Sequence, residues 1–163
     1  MVNAAVIDSR RKFMAMAIEK SREGVGRGQT PFGACIVKGG EAVSCAHNRV
    51  WETTDITAHA EVVAIREACA KLETVDLRGC TIYSSTEPCP MCFSAIHWAG
   101  IGEIVFGASI ADAARFGFRE LEISNDKMLE LGGANVAVVG GVMATEAVEV
   151  FEDWSRRNDR RSY

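Results

Sequence analysis

The feature that most constrains this chain is His59-Ala60-Glu61, followed further along by Pro88-Cys89-Pro90-Met91-Cys92. Together they offer one imidazole and two thiolates, a donor set matched to borderline-soft Zn²⁺ that leaves the fourth tetrahedral position open for water. Two thiolates balance the charge of the metal, and zinc lowers the pKa of a water from about 15.7 to roughly 7. Glu61 stands two residues from the histidine, placed to take a proton from that water and return it elsewhere. A structural zinc knot would instead close all four positions with cysteine or histidine. The remaining cysteines, Cys35, Cys45, Cys69 and Cys80, are scattered and form no second close pair. The open, catalytic arrangement is therefore the expectation, with one of those four folding back as the alternative. Whatever the fold, it must bring two separate segments to one point.

Periodicity supplies the frame. Arg10 to Glu23 predicts an amphipathic helix with Phe13, Met14, Ala17 and Ile18 on one stripe, ended by Gly24, Gly26 and Gly28. Phe32 to Val37 and Glu41 to His47 predict a hairpin turning at Lys38-Gly39-Gly40. Thr57 is the expected cap of a helix over Ala58 to Leu72, with His59 and Glu61 in its first turn. Residues two apart on a helix differ by about 200°, so both reach one metal only near a helix end. A strand over Cys80 to Ser84 leads through a turn to a helix that Pro90 can begin, reaching about Ala99. Its free N–H groups favour thiolate at Cys89 and Cys92. Strands at Glu103 to Gly107 and Val136 to Val139 follow, with a helical turn at Ile110 to Arg115 and helices at Ser124 to Leu131 and Met143 to Arg157. Alternating strands and helices predict an α/β fold, helices covering a mixed sheet in three layers.

At 163 residues, 48% hydrophobic and 25% charged, the composition is that of one globular domain. No run approaches the ~20 apolar residues of a membrane span. Asp8, Arg10, Arg11 and Lys12 stand where a signal peptide needs its apolar region, and six cysteines, two claimed by metal, fit a reducing compartment better than a disulfide framework. The expectation is a cytoplasmic protein. A net charge of −4 argues against a broad nucleic-acid footprint. The basic tail Arg156-Arg157-Asn158-Asp159-Arg160-Arg161 is either a solvated helix end or a local phosphate contact.

H-x-E with a distant P-C-x-x-C is the pattern of zinc deaminases acting on nucleobases. Through it, the chain resembles the cytidine and deoxycytidylate deaminase superfamily. Pro31-Phe32-Gly33-Ala34, Asp55-Ile56-Thr57-Ala58-His59-Ala60-Glu61 and Glu87-Pro88-Cys89-Pro90-Met91-Cys92 are most similar to the bacterial guanine deaminases, and partly to plant guanosine and tRNA adenosine deaminases. So are Ala113-Ala114-Arg115-Phe116-Gly117-Phe118, Trp154 and the terminal Arg161-Ser162-Tyr163.

The resemblance implies a cytidine-deaminase-like α/β/α fold with about five strands in a central mixed sheet. It also implies one Zn²⁺ per subunit on His59, Cys89 and Cys92, and Glu61 as the catalytic acid–base. The implied substrate contacts are Asn48, Phe32, Glu120, Trp98 and Tyr163, with Glu120 standing where that family carries an aspartate. A homodimer is implied, in which residues 154–163 close the partner's site. Trp51, Phe93, His97, Phe116 and Trp154 are further rings that could face a base, core packing being the alternative for each. The activity expected is zinc-dependent hydrolytic deamination of a free nucleobase, guanine to xanthine and ammonia; guanosine, cytosine or tRNA adenosine are the alternative substrates, and a non-catalytic zinc module is the reading from another class.

Overall fold

Two strands that turn on consecutive glycines begin the sheet. In the computed structural model, which describes residues 4–163, helix α1 (Ala4–Gly26) leads to β1 (Gly33–Lys38) and β2 (Glu41–His47). Gly39 and Gly40 both hold positive φ, 59° and 80°, as a two-residue hairpin turn requires. The chain continues through α2 (Val50–Thr53), α3 (Ala60–Leu72), β3 (Cys80–Thr86), α4 (Pro90–Ala99) and β4 (Glu103–Ala108). It ends with α5 (Ile110–Arg115), α6 (Asn125–Gly132), β5 (Ala137–Val139) and α7 (Ala144–Ser155). The expected elements are present, with α1 longer than its predicted span and the short α2 unforeseen.

The five strands lie in the order β2-β1-β3-β4-β5, with β1 antiparallel to both neighbours and the β3–β4–β5 pairs parallel. Helices α1 and α7 pack on the sheet and on each other; α3 packs on β1 and β2 and meets α4, so helices cover both faces. This is the predicted three-layer α/β arrangement around a mixed five-stranded sheet. Phe13, Met14, Ala17 and Ile18 are buried under α1 as their spacing implies. The approach is close: a Cβ on Gly33 would collide with the Ala17 carbonyl and the Ser21 amide. Among the described residues no helix is long and apolar enough to cross a membrane.

Two local expectations are corrected. Helix α3 starts at Ala60 with His59 as its N-cap residue, not at Ala58 with Thr57 as the cap. The Thr57 hydroxyl is spent elsewhere, donating to Asp55 Oδ1 at 2.6 Å, and the same oxygen accepts from the Thr57 N–H at 2.8 Å. Cys35 and Cys45 form a disulfide, against the expectation that no such pair exists. The hairpin pairs Lys38 with Glu41 and Val37 with Ala42, then slips by one residue at a bulge, so that Ile36 faces Ser44 and Cys35 faces Cys45. An unbulged hairpin would have set Cys35 opposite Ser44.

Candidate active site

The site lies at the carboxyl end of β3, where α3 and α4 begin. His59 and Cys89 are the N-cap residues of those two helices, both in extended conformation, at φ −64° with ψ 154° and 165°. That geometry answers the angular problem posed by the motif. His59 precedes the helix, so its ring is free to turn toward the cysteines while Glu61 follows within the first turn. Pro90 opens α4 in the position where its missing N–H costs nothing.

The donor atoms of His59, Cys89 and Cys92 lie within 4.8 Å of one another. His59 Nδ1 is 3.7 Å from Cys89 Sγ and 3.6 Å from Cys92 Sγ. A tetrahedral zinc with its usual N and S bond lengths needs an N···S edge of about 3.6 Å, so these residues fit the ion. Since Nδ1 faces the thiols, Nε2 carries the ring proton when the metal is held. Without metal, the hydrogen bond from Cys92 and the nearby imidazole hold the Cys89 thiol down at about 4. The Cys92 thiol is pushed well up by that same bond to Cys89 and by burial. Both sulfurs ligate as thiolates, so metal binding releases the protons they hold.

Glu61 is buried, at 5% exposed. Ser84 donates its hydroxyl to Oε1 at 3.0 Å, and the Cys92 thiol donates to Oε2 at 3.4 Å. Burial, helped by negative charge at Cys89, raises the carboxyl above its ordinary value, against the opposing effects of His59 and Ser84. A glutamate raised in this way is suited to pass protons in both directions. Two buried hydroxyls near the end of β3 have such uses: Ser84 orients Glu61, and Ser85 Oγ accepts the Gly33 N–H at 3.0 Å.

A cavity of about 500 Å³ opens beside the triad, lined by Ile56, His59, Cys89, Pro90, Met91, Phe118, Arg119, Glu120, Leu121 and Tyr163. Glu120 and Tyr163 are therefore gathered at the metal ligands. Burial, with negative charge at Cys89 and Glu61, pushes the Glu120 carboxyl up to about 8, and among the described residues its Oε2 has no hydrogen-bond partner. Asn48 is fully buried, its Oδ1 accepting the Val50 N–H at 3.1 Å and its Nδ2 donating to the Tyr163 hydroxyl at 2.7 Å. Tyr163 also receives the Thr30 hydroxyl at 3.4 Å, and its ring lies 5.5 Å from that of His59. In this single chain Tyr163 thus lines the same cavity as His59 and Glu120.

Two of the expected contact residues do not line this cavity. Phe32 is buried behind the cavity wall, its ring 4.8 Å from Phe118 and 5.5 Å from Phe151. Phe118 is the ring that lines the cavity, and sequence reasoning had not singled it out, although it ends the segment quoted for the resemblance. Trp98 is 85% exposed on the outer face of α4 beside His97, away from the cavity lining. Of the other rings, Phe93 is in the core, Phe116 stacks on Phe151, Trp154 packs on Phe118, and Trp51 lies under Arg161.

A buried carboxyl beside one imidazole and two thiols, set where two helices begin at the end of a sheet, is the arrangement that the zinc deaminases use. Residues 7–108 match the cytidine and deoxycytidylate deaminase zinc-binding region. The chain belongs to that family. It is 38% identical to the guanine deaminase of Bacillus subtilis over 154 residues, 93% of this chain and 97% of that protein. It is 45% identical to the tRNA-specific adenosine deaminase of Aquifex aeolicus over 96 residues, covering 59% of this chain and 64% of the other. The solved structure of NE0047 in complex with 2,6-diaminopurine is similar with a TM-score of 0.85 and 29% identity, covering 91% of this chain and 82% of that one.

Proposed function

We propose that this protein hydrolyses the exocyclic amine of a free nucleobase, guanine, yielding xanthine and ammonia. The observation that carries the reading is the presence of Glu120 and the metal ligands His59 and Cys89 in one cavity. A base lying there would meet a reactive centre at one edge and a carboxyl at another, between the rings of Phe118 and Tyr163. The likeness to a guanine deaminase over nearly the whole chain supports the same substrate.

His59, Cys89 and Cys92 would hold zinc, which supplies Lewis acidity that makes a water nucleophilic near neutral pH. Glu61 takes the proton of the attacking water, steadied by Ser84. It delivers that proton to the ring nitrogen next to the attacked carbon, then takes the second proton from the hydroxyl added to that carbon and passes it to the amine, so that the C–N bond breaks, ammonia leaves and the carbonyl forms. Tyr163, held by Asn48, forms part of the cavity wall that Glu120 also lines. In the homodimer that the family resemblance implies, residues 154–163 would close the partner's pocket over the base.

The protein is proposed to act as a homodimer through the exposed face of α4, where Met91 and the 85% exposed Trp98 lie two turns apart. Nucleic acid is not the proposed partner. Two tail arginines are engaged by neighbouring acids, Arg156 with Asp153 at 3.1 Å and Arg157 with Asp159 at 2.8 Å. Ammonia release by zinc-loaded protein from guanine, guanosine, cytosine and adenosine tests the reading. Turnover of guanine, lost in Glu61→Ala, is expected; activity on adenosine or cytosine alone would overturn it.

A further inference from the structure

Two buried side chains outside the reaction tie the metal-binding segment to the segment that carries Glu120. Glu87 is 8% exposed, and both of its carboxyl oxygens accept from backbone N–H groups. Oε2 takes the Ile110 N–H at 3.2 Å and Oε1 takes the Asn125 N–H at 2.8 Å. Its own N–H donates to the Ala108 carbonyl at 2.8 Å. Asn125, fully buried, returns the connection by donating Nδ2 to the Pro88 carbonyl at 2.7 Å.

These bonds are not simple helix caps. Each helix already has a local one: Ser109 Oγ accepts from Asp112 N at 3.1 Å, and Ser124 Oγ accepts from Lys127 N at 3.2 Å. Glu87 reaches a second free donor at each helix start, across 23 residues to Ile110 and 38 to Asn125. The partners bracket the stretch between α5 and α6 that holds Phe118 and Glu120. Pro88, held by Asn125, immediately precedes Cys89. The result is a closed ring of contacts running from the ligand loop, out to both ends of the base-facing segment, and back.

We infer that Glu87 and Asn125 are positioning residues that fix the separation between Cys89 and Glu120, and so decide which base spans from the reacting centre to the acid. The inference rests on the guanine reading for its substrate but not for its geometry. Glu87→Gln replaces one acceptor by an NH₂ group facing a backbone N–H, so one of the two ties must break in either amide orientation. Asn125→Asp sets an oxygen against the Pro88 carbonyl and breaks the return tie without changing volume.

The experiment compares Glu87→Gln, Asn125→Asp and Ser124→Ala with the parent full-length protein, loaded with zinc. In the first two, KM for guanine should rise roughly tenfold, more than kcat falls, and zinc release to a chelator should quicken by a similar factor. Ser124→Ala removes a local cap only and should lower stability while leaving KM and zinc release as they were. In a Glu120→Ala background, Glu87→Gln should add little further to KM, because the distance it governs no longer matters. The inference is overturned if Glu87→Gln and Asn125→Asp lower stability with KM and zinc release unchanged, or if the KM effect persists in full without Glu120. Failure of the parent protein to deaminate guanine would sink the substrate reading alone. The ring of contacts would then be judged on zinc release and on the amide proton resonances of Ile110 and Asn125, which should shift upfield in Glu87→Gln.

Discussion

Asn48 donates its side-chain amide to the phenolic oxygen of Tyr163 at 2.7 Å, which fastens the last residue of the sequence to the loop after β2. Asn48 cannot turn away, because Val50 N–H holds its Oδ1 from the other side. Tyr163→Phe keeps the ring beside His59 and removes one acceptor. That oxygen accepts from both Asn48 and Thr30, and each neutral hydrogen bond contributes about 0.5–1.5 kcal/mol net, so KM for guanine should rise roughly five- to hundredfold with kcat nearly constant. Asn48→Ala should cost more, since it also strands the Val50 amide. Steady-state kinetics decide it: a large fall in kcat with unchanged KM in Tyr163→Phe would show that the tail takes part in the chemistry.

Glu61→Gln preserves the volume of the buried side chain and removes its ability to take a proton. Zinc should remain bound at one ion per chain, because His59, Cys89 and Cys92 are untouched. Turnover should fall by at least about 10²–10⁴-fold, the contribution of one general acid–base group. Metal analysis on the same sample used for ammonia release separates the two effects. Retained activity with zinc present would remove Glu61 from the mechanism.

The parts of this site that could be read from the sequence are those with a local cause. His59, Cys89 and Cys92 announce themselves because metal ligation fixes residue type, Glu61 because it stands two residues from the histidine, and α4 runs from Pro90 to Ala99 as the sequence expects. The hairpin turn follows from two adjacent glycines. What stayed hidden depends on partners far along the chain. The bulge that aligns Cys35 with Cys45 leaves no mark in composition, and Thr57 looked like a cap because its bond to Asp55 competes on equal chemical terms. Phe32 and Phe118 are both aromatic and both pack against Phe151, so only their tertiary placement decides which one faces the cavity. Glu87 reads as part of the motif Glu87-Pro88-Cys89, while its two amide partners lie in segments that the sequence does not connect to it.

Trp98→Ala should leave KM for guanine unchanged, because the side chain is 85% exposed and away from the cavity. If α4 carries the proposed subunit contact, the same substitution should weaken it. Light scattering after size exclusion should then report a lower mass at dilute concentration. A raised KM in a protein of unchanged mass would restore Trp98 to the pocket.

The Cys35–Cys45 bridge closes a short loop, ten residues in sequence separation. In the chain-entropy account a loop of that size contributes about 2–3 kcal/mol. Reductant should therefore shift the urea midpoint down, and the double variant Cys35→Ala, Cys45→Ala should unfold at the reduced midpoint whether or not reductant is present. Active-site residues sit at the Gly33 and His47 ends of the same strands, so the reduced protein should also show faster amide exchange at Asn48. A midpoint indifferent to reductant would mean that the two thiols stand opposite each other without a bond.

Glu120 gives the site a pH signature whose sign can be worked out. Its carboxyl is pushed from the ordinary 4.5 up to about 8, first by burial and then by negative charge at Cys89 and Glu61. The folded state therefore binds that proton more tightly than the unfolded chain does. The contribution to stability is fully present below the unfolded value and is lost as pH rises through about 8. Metal-free protein should lose stability across this window, and Glu120→Gln should lose less, because an amide has no proton to give up. Urea midpoints measured across the window for both proteins test this, and parallel profiles would assign the shift to another group. The same proton bears on binding. A neutral carboxyl offers one donor and one acceptor, matching the mixed groups along a purine edge, and so does an amide. Glu120→Gln should accordingly keep much of the affinity for guanine that Glu120→Ala forfeits.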